Sequence, residues 1–417
     1  MIDMLVIRKD KTFVYLSYIF LFFCFFSFVQ ILPLGTDSQP NAMLVALLLF
    51  GIAPVYKINK QFNLLLLLFI VAIVVTVLGV WTFSAFRGLF NYFSLFFLSF
   101  ISYRVLIRLN GIPYKLYRAT VYIWFVVGLI QISVYPSFLS FLFLRGNSGA
   151  TLESGRGVVC LTPEPTFYGI MCLLFIMIGY LNFNHIKEQK WLYILLWIQL
   201  LIFSRSSTCV FLLAFSFFLF GLYLICVSAN VKLIFSMLLV VTIGYFVVPI
   251  ILDNFTNFRV GILLVKFWEN PIDFVILDES INDRFNHVFF PLYGFVTNYG
   301  MPHGFDTFGN FMNECLNIMK FQDLFSKTAM SGGYGGRIMS AIGGALFELG
   351  IFAFLIIVVI YRAFKPLVRR NKNNVFFLIL FIGLLLNAIT FSNAIIPFIV
   401  GNLFFLGRQA SLENKVV

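Results

Sequence analysis

Charge is scarce in this sequence: 11% of its 417 residues are charged and 61% are hydrophobic, where a soluble globular domain has roughly a quarter and a half. A water-soluble enzyme is therefore excluded. Histidine and cysteine are scarce as well, at three and six residues. No Cys-x-x-Cys or Cys/His ligand spacing links Cys24, Cys160, Cys172, Cys209, Cys226 and Cys315, and most of them lie inside apolar runs. Neither a disulfide framework nor a metal site follows from them, and no cofactor is expected. Acidic residues are outnumbered 17 to 29 by Lys and Arg, for a net charge of +12. The excess forms no clustered basic face of the kind that binds nucleic acid. Membrane proteins gather such an excess on cytoplasmic connections for topological reasons alone.

Apolar runs are what the chain has in quantity. A bilayer-spanning helix needs about 20 apolar residues. Twelve spans can be drawn, at 13–32, 42–56, 62–81, 86–107, 118–140, 163–182, 191–203, 207–227, 232–252, 338–361, 375–392 and 394–407. The expected fold is all-α, a polytopic integral membrane protein forming one transmembrane helical domain over 1–417. Arg8, Lys9 and Lys11 precede a first span that is too long for a signal-peptide core and lacks a small-residue cleavage pattern, so it reads as a retained anchor with a cytoplasmic N-terminus. Threaded from there, 19 of the 29 basic residues fall on cytoplasmic segments and both termini lie inside.

Two outer connections exceed what topology requires, at 141–162 and 253–337, and long loops usually carry function. The second, a large periplasmic loop between spans nine and ten, holds six basic and nine acidic residues, so its arginines do not serve the positive-inside rule. Phe308, Phe311, Met312, Cys315, Leu316, Met319 and Leu324 recur at helical spacing, as do Phe258, Ile262, Val265 and Trp268. Such short amphipathic helices lie on the outer membrane–water boundary or pack on the bundle as a lid.

Four local patterns can carry chemistry. Arg156-Gly157 leads through Pro163-Glu164-Pro165-Thr166 to Tyr168 and Gly169. A proline suits a first helical turn, and Glu164 then sits at a positive helix end, where it either complements the dipole or acts together with Arg156. Ser204-Arg205-Ser206-Ser207-Thr208 fills a tight outer turn. A guanidinium flanked by hydroxyls at a helix start is suited to phosphate oxygens, although a snorkelling Arg or a capped helix would read the same way. Asp283-Arg284-Phe285-Asn286-His287 precedes Phe289, Phe290, Tyr293, Phe295, Tyr299 and His303, an aromatic run that could stack on sugar faces or line the membrane interface. Ser331 to Arg337 is a glycine cluster, a joint or an anion contact. Glu348 lies inside span ten, where a carboxyl must be protonated or paired.

These pieces, in this order and on one side, resemble the Wzy-type O-antigen polymerases within the wider group of bacterial polysaccharide polymerases and O-antigen ligases. The resemblance rests on Arg156 to Gly169, Phe203 to Thr208, the long loop before span ten and Leu346-Phe347-Glu348-Leu349-Gly350-Ile351. Family arginine motifs often end in a glycine at a characteristic spacing, which neither Arg156 nor Arg284 matches. The resemblance implies a multi-pass enzyme of the bacterial inner membrane that joins oligosaccharide repeat units carried on undecaprenyl diphosphate at the periplasmic face. It implies an inverting, metal-independent glycosyl transfer and a chain-length-determining partner.

The inventory fits that chemistry. Breaking a sugar–diphosphate bond builds charge on the leaving group, which Arg156, Arg205 and Arg284 would stabilise. The acceptor hydroxyl must lose a proton, for which Glu164 and then His303 are the candidates. Arg337, His287, Tyr293 and Tyr168 are candidate substrate contacts. An O-antigen ligase shares the architecture. A lipid-linked oligosaccharide flippase or other transporter would show internal repeats and midplane charges, and only Glu348 lies that deep.

Overall fold

The computed structural model describes residues 2–31, 35–53, 60–145, 148–228, 279–318, 338–387 and 389–416, with a few single positions between them. Those residues are helical or irregular, and no strand occurs among them. The helices are α1 (Ile2–Phe25), α2 (Asn41–Ile52), α3 (Asn63–Leu78), α4 (Phe83–Leu109), α5 (Tyr114–Ser133), α6 (Ser148–Glu153), α7 (Pro165–Phe183), α8 (Gln189–Ile198), α9 (Ser207–Ser228), α10 (Glu279–Thr297), α11 (Phe308–Leu316), α12 (Ala341–Leu349), α13 (Phe354–Arg370), α14 (Asn374–Leu386) and α15 (Ile395–Val416).

Seven helical segments among the described residues are long and apolar enough to cross a membrane: Lys60–Leu78, Phe83–Leu109, Tyr114–Ser133, Pro165–Phe183, Ser207–Val227, Ala341–Arg370 and Ile395–Leu412. Four shorter apolar helices accompany them, at Lys11–Phe25, Asn41–Ile52, Gln189–Phe203 and Asn374–Leu386. Eleven of the twelve apolar runs thus coincide with a helix, and the run at 232–252 lies outside the described residues apart from Thr242. Helix is the outcome that lipid enforces, because a backbone amide in hydrocarbon finds no water and must bond within its own segment.

Local chemistry sets the ends. The Thr82 hydroxyl accepts from Ala85 N at 3.0 Å to start α4, and Ser340 does the same for Gly343 N before α12. Asn110, in the left-handed region at φ 54°, ends α4. Helix α4 packs on α15, α15 on α13, α7 on α8 and α9, and α9 on α14; α4 is largely buried, whereas few residues of α9 are fully buried and most are half-buried.

Span ten departs from a continuous helix. It divides at Gly350 (φ 59°) into α12, one 3-10 turn and α13, which runs on to Arg370. The segment after α10 fills the break: His303 N and Gly304 N donate to the Phe347 and Glu348 carbonyls at 3.0 and 3.3 Å, and Ile351 N donates to Gly300 O at 2.8 Å. A Cβ on Gly350 would stand 2.3 Å from that same Gly300 oxygen, so only glycine admits the crossing. Helix α10 also packs along α12. The described part of the long loop is therefore docked on the bundle. The 258–268 pattern lies outside the described residues apart from Val265.

Candidate functional site

Connections from distant parts of the sequence meet at one end of the bundle around a cavity of about 150 Å³. Asp37 and Ser38 come from between α1 and α2, Arg145, Arg156 and Glu164 from between α5 and α7, Asp283 and Arg284 from α10, and Thr390 and Asn393 from between α14 and α15. Phe28 and Phe167, with ring centroids 5.3 Å apart, supply part of an apolar wall. A second, smaller cleft adjoins it, lined by Arg156, Arg205, Arg284, Thr166 and Thr208. The three arginines singled out in the sequence thus surround one corner, with Arg156 and Arg284 common to both spaces.

A buried glutamine builds the wall that carries Arg156. Gln131 of α5 accepts from Cys160 N at 2.7 Å and from the Ser148 hydroxyl at 2.9 Å, and its amide donates to the Cys160 and Phe138 carbonyls. The stretch beyond Arg156 then lies directly on the π-helical turn Gln199–Phe203 that follows α8, where Val158 N donates to Phe203 O at 2.9 Å. A Cβ on Gly157 would meet that oxygen at 2.1 Å and Ser204 C at 2.3 Å, so glycine alone permits the contact. Beyond that turn Arg205 stands in the left-handed region at φ 44°. A π-turn and a strained non-glycine residue in succession mark a segment shaped for something other than stability. Ser206 then caps α9 by accepting from Cys209 N.

Arg284 joins two helix starts. Its Nη1 donates to Thr208 Oγ1 at 2.8 Å and its Nη2 to Thr166 Oγ1 at 3.0 Å, each threonine being the second residue of its helix. Glu164, at the cap of α7 ahead of Pro165, stands 4.0 Å from the same Nη2, a long ion pair. The Arg284 side chain is only 15% exposed. Burial holds its pKa below the ordinary arginine value; Glu164 acts against that fall, and the like charge of Arg156 adds to it. The guanidinium keeps its proton at neutral pH all the same. In the larger cavity Asp37, Glu164 and Asp283 balance Arg145, Arg156 and Arg284, whereas the smaller cleft brings Arg156, Arg205 and Arg284 to two positive helix ends with no carboxylate in its lining, an excess of positive potential that an incoming anion would relieve.

A neighbouring pair consumes its own charge. Arg145 donates through Nε and Nη2 to both oxygens of buried Asp37, a bidentate contact that raises the arginine pKa. Asp283 faces His287 Nε2 at 3.4 Å, while Met339 N donates to the other ring nitrogen at 3.4 Å. An imidazole accepting at Nδ1 carries its proton at Nε2 and directs it at Asp283. His287 therefore stands behind a cavity residue and does not line the cavity itself.

The remaining predicted residues fall elsewhere. His303 stacks on Phe347 with centroids 4.2 Å apart, and its Nε2 donates to Gly294 O at 3.0 Å. Tyr293 packs against Phe321, with centroids 4.9 Å apart, in a small separate core with Phe290, Phe308 and Phe325. Tyr168 is fully buried and donates to Gln199 Oε1 at 3.1 Å. None of the three lines the arginine cavity. Arg337 lies outside the described residues. Sequence reasoning missed Asp37, Arg145, Gln131, Thr390 and Asn393; only Gln131, a polar residue within an apolar run, carried a local signal. No group of His, Cys, Asp and Glu able to hold a metal occurs among the described residues. The chain matches no protein-family model and no curated protein.

Proposed function

We propose that the protein is a polymerase of lipid-linked oligosaccharides, of the O-antigen type, which transfers a growing glycan from undecaprenyl diphosphate to a new lipid-linked repeat unit. The observation that carries this reading is the convergence of Arg156, Arg205 and Arg284 on the starts of α7 and α9. In the proposed reaction the acceptor oxygen attacks the anomeric carbon, the bond to the diphosphate oxygen breaks, and the diphosphate leaves with the electron pair. The arginines and helix amides stabilise that charge, a term that is largest where water is excluded. Glu164, 36% exposed at the mouth beside Arg284, takes the acceptor proton.

The topology belonging to this reading has twelve crossings in the bacterial inner membrane, both termini in the cytoplasm and the cavity facing the periplasm. In its support, every connection that lines the cavity is one that the charge-threaded sequence assigns to the outer side.

The test is to incubate the purified protein with the cognate undecaprenyl-diphosphate-linked repeat unit and to resolve the products by length. A ladder of lipid-linked oligomers is expected. A folded protein that yields no ladder but passes glycan to a lipid A-core acceptor would be a ligase, and one that yields neither product would overturn the assignment to glycosyl transfer.

A further inference from the structure

A second polar cavity, of about 70 Å³, opens beside the first and plays no part in the chemistry above. Ser84, Arg87 and Asn91 of α4 form one side, Asp306 and Glu348 another, and Ser392 a third. Its partition from the arginine cavity is one residue thick: Thr390 lines both spaces, and the consecutive residues Ile338 and Met339 face one space each. Phe305 gives it an apolar patch.

Glu348 is the residue that needs explaining. It lies eight positions into the Ala341–Arg370 span, where a carboxyl is costly. One of its oxygens accepts from the Tyr92 hydroxyl at 2.6 Å. No cation pairs with it among the described residues, and its neighbours in the cavity are hydroxyls, an amide, the Asp306 carboxyl and an exposed guanidinium. Asp306 is held similarly, by Thr82 Oγ1 at 2.8 Å. Carboxyl groups oriented by a single hydroxyl, with an amide and a ring beside them, form the set that grips a sugar: acceptors and donors for its hydroxyls and an apolar patch for its C–H face. A diphosphate would find a single guanidinium here beside two carboxyl groups, a poorer seat than the arginine corner.

We propose that this cavity binds the sugar hydroxyls of the acceptor repeat unit, with Glu348 and Asn91 as its principal contacts. The inference rests on the polymerase reading for the word acceptor, and on the cavity itself for the word sugar. A glycan seated there reaches past Thr390 toward the arginine corner, so the attacking hydroxyl and the leaving diphosphate occupy adjoining rooms.

The test uses the full-length protein and the cognate repeat-unit oligosaccharide freed of lipid and diphosphate, with binding followed by saturation-transfer NMR. Saturable binding is expected, weakened several-fold to about tenfold in Asn91→Ala and Glu348→Gln, as the loss of a well-placed hydrogen bond to a sugar hydroxyl requires. Arg284→Ala should bind the free glycan as the unaltered protein does. Glutamine can still accept from Tyr92. Should E348Q nonetheless fail to fold, Ser84→Trp, on the exposed rim, blocks the mouth without touching that bond. Unchanged binding in N91A and in either second variant overturns the subsite. So does the absence of glycan binding by protein that forms the ladder, which leaves the polymerase reading standing. Absence of both ladder and binding removes the two together.

Discussion

The two ends of the helical bundle use the same residue types for opposite purposes. At the cavity end Arg284 is 15% exposed and held by two threonines, and Asp37, which pairs with Arg145, is almost wholly buried. At the other end Arg118 and Glu188 meet at 3.4 Å with side chains 44% and 69% exposed, and Arg118 also lies over the Tyr114 ring. A solvated pair of that kind contributes about 0–1 kcal/mol. A guanidinium taken out of water and fixed by hydroxyls has been placed at a cost, and function is what such a cost repays.

Substitutions can break this contrast or sharpen it. Arg284→Ala removes the group that spans both helix starts, and the rate of ladder formation should fall about 10²- to 10³-fold, the loss typical of one donor to a developing anion. Arg284→Lys should recover little of it, because one ammonium cannot reproduce the planar fork to Thr166 and Thr208. Gly157→Ala forces the Arg156 wall off the π-helical turn after α8 and should cost about 1–3 kcal/mol, read as a lower melting temperature in detergent. Arg145→Met leaves Asp37 without its bidentate partner. Because Arg145 is itself half exposed, a cost of about 1 kcal/mol is expected, at the low end for a buried acceptor. Arg118→Gln, at the opposite end, should change neither melting nor ladder formation measurably; a loss there as large as at Arg284 would erase the distinction between the ends.

The sequence carried most of the helices and the four residues of the arginine corner, because both signals are local. Apolar runs of bilayer length admit one backbone solution, and Arg156, Glu164, Arg205 and Arg284 each stood beside prolines, hydroxyls or acids unusual in such a chain. Partners separated by long stretches of chain were invisible. Nothing near Asp37 announces Arg145, 108 positions away, or near Tyr92 announces Glu348, 256 away. The aromatic run after Arg284 was legible as helical, yet its purpose was not. Tyr293 and Phe290 face the packing of α10 with Phe321 and Phe325, and rings that fill a core look in sequence like rings that stack on a ligand. Gly350 was the signal for the broken span, and reading 338–361 as one helix passed over it.

That break has a mechanical consequence. Three backbone bonds tie residues 300–304 to the carbonyls and amide around Gly350. Helix α10, which bears Arg284, is thereby welded to α12, which bears Glu348. Any molecule that touches both residues is measured against a fixed gauge rather than embraced by a closing hand; on the polymerase proposal, a repeat unit of the wrong length would not be accommodated by stretching the frame.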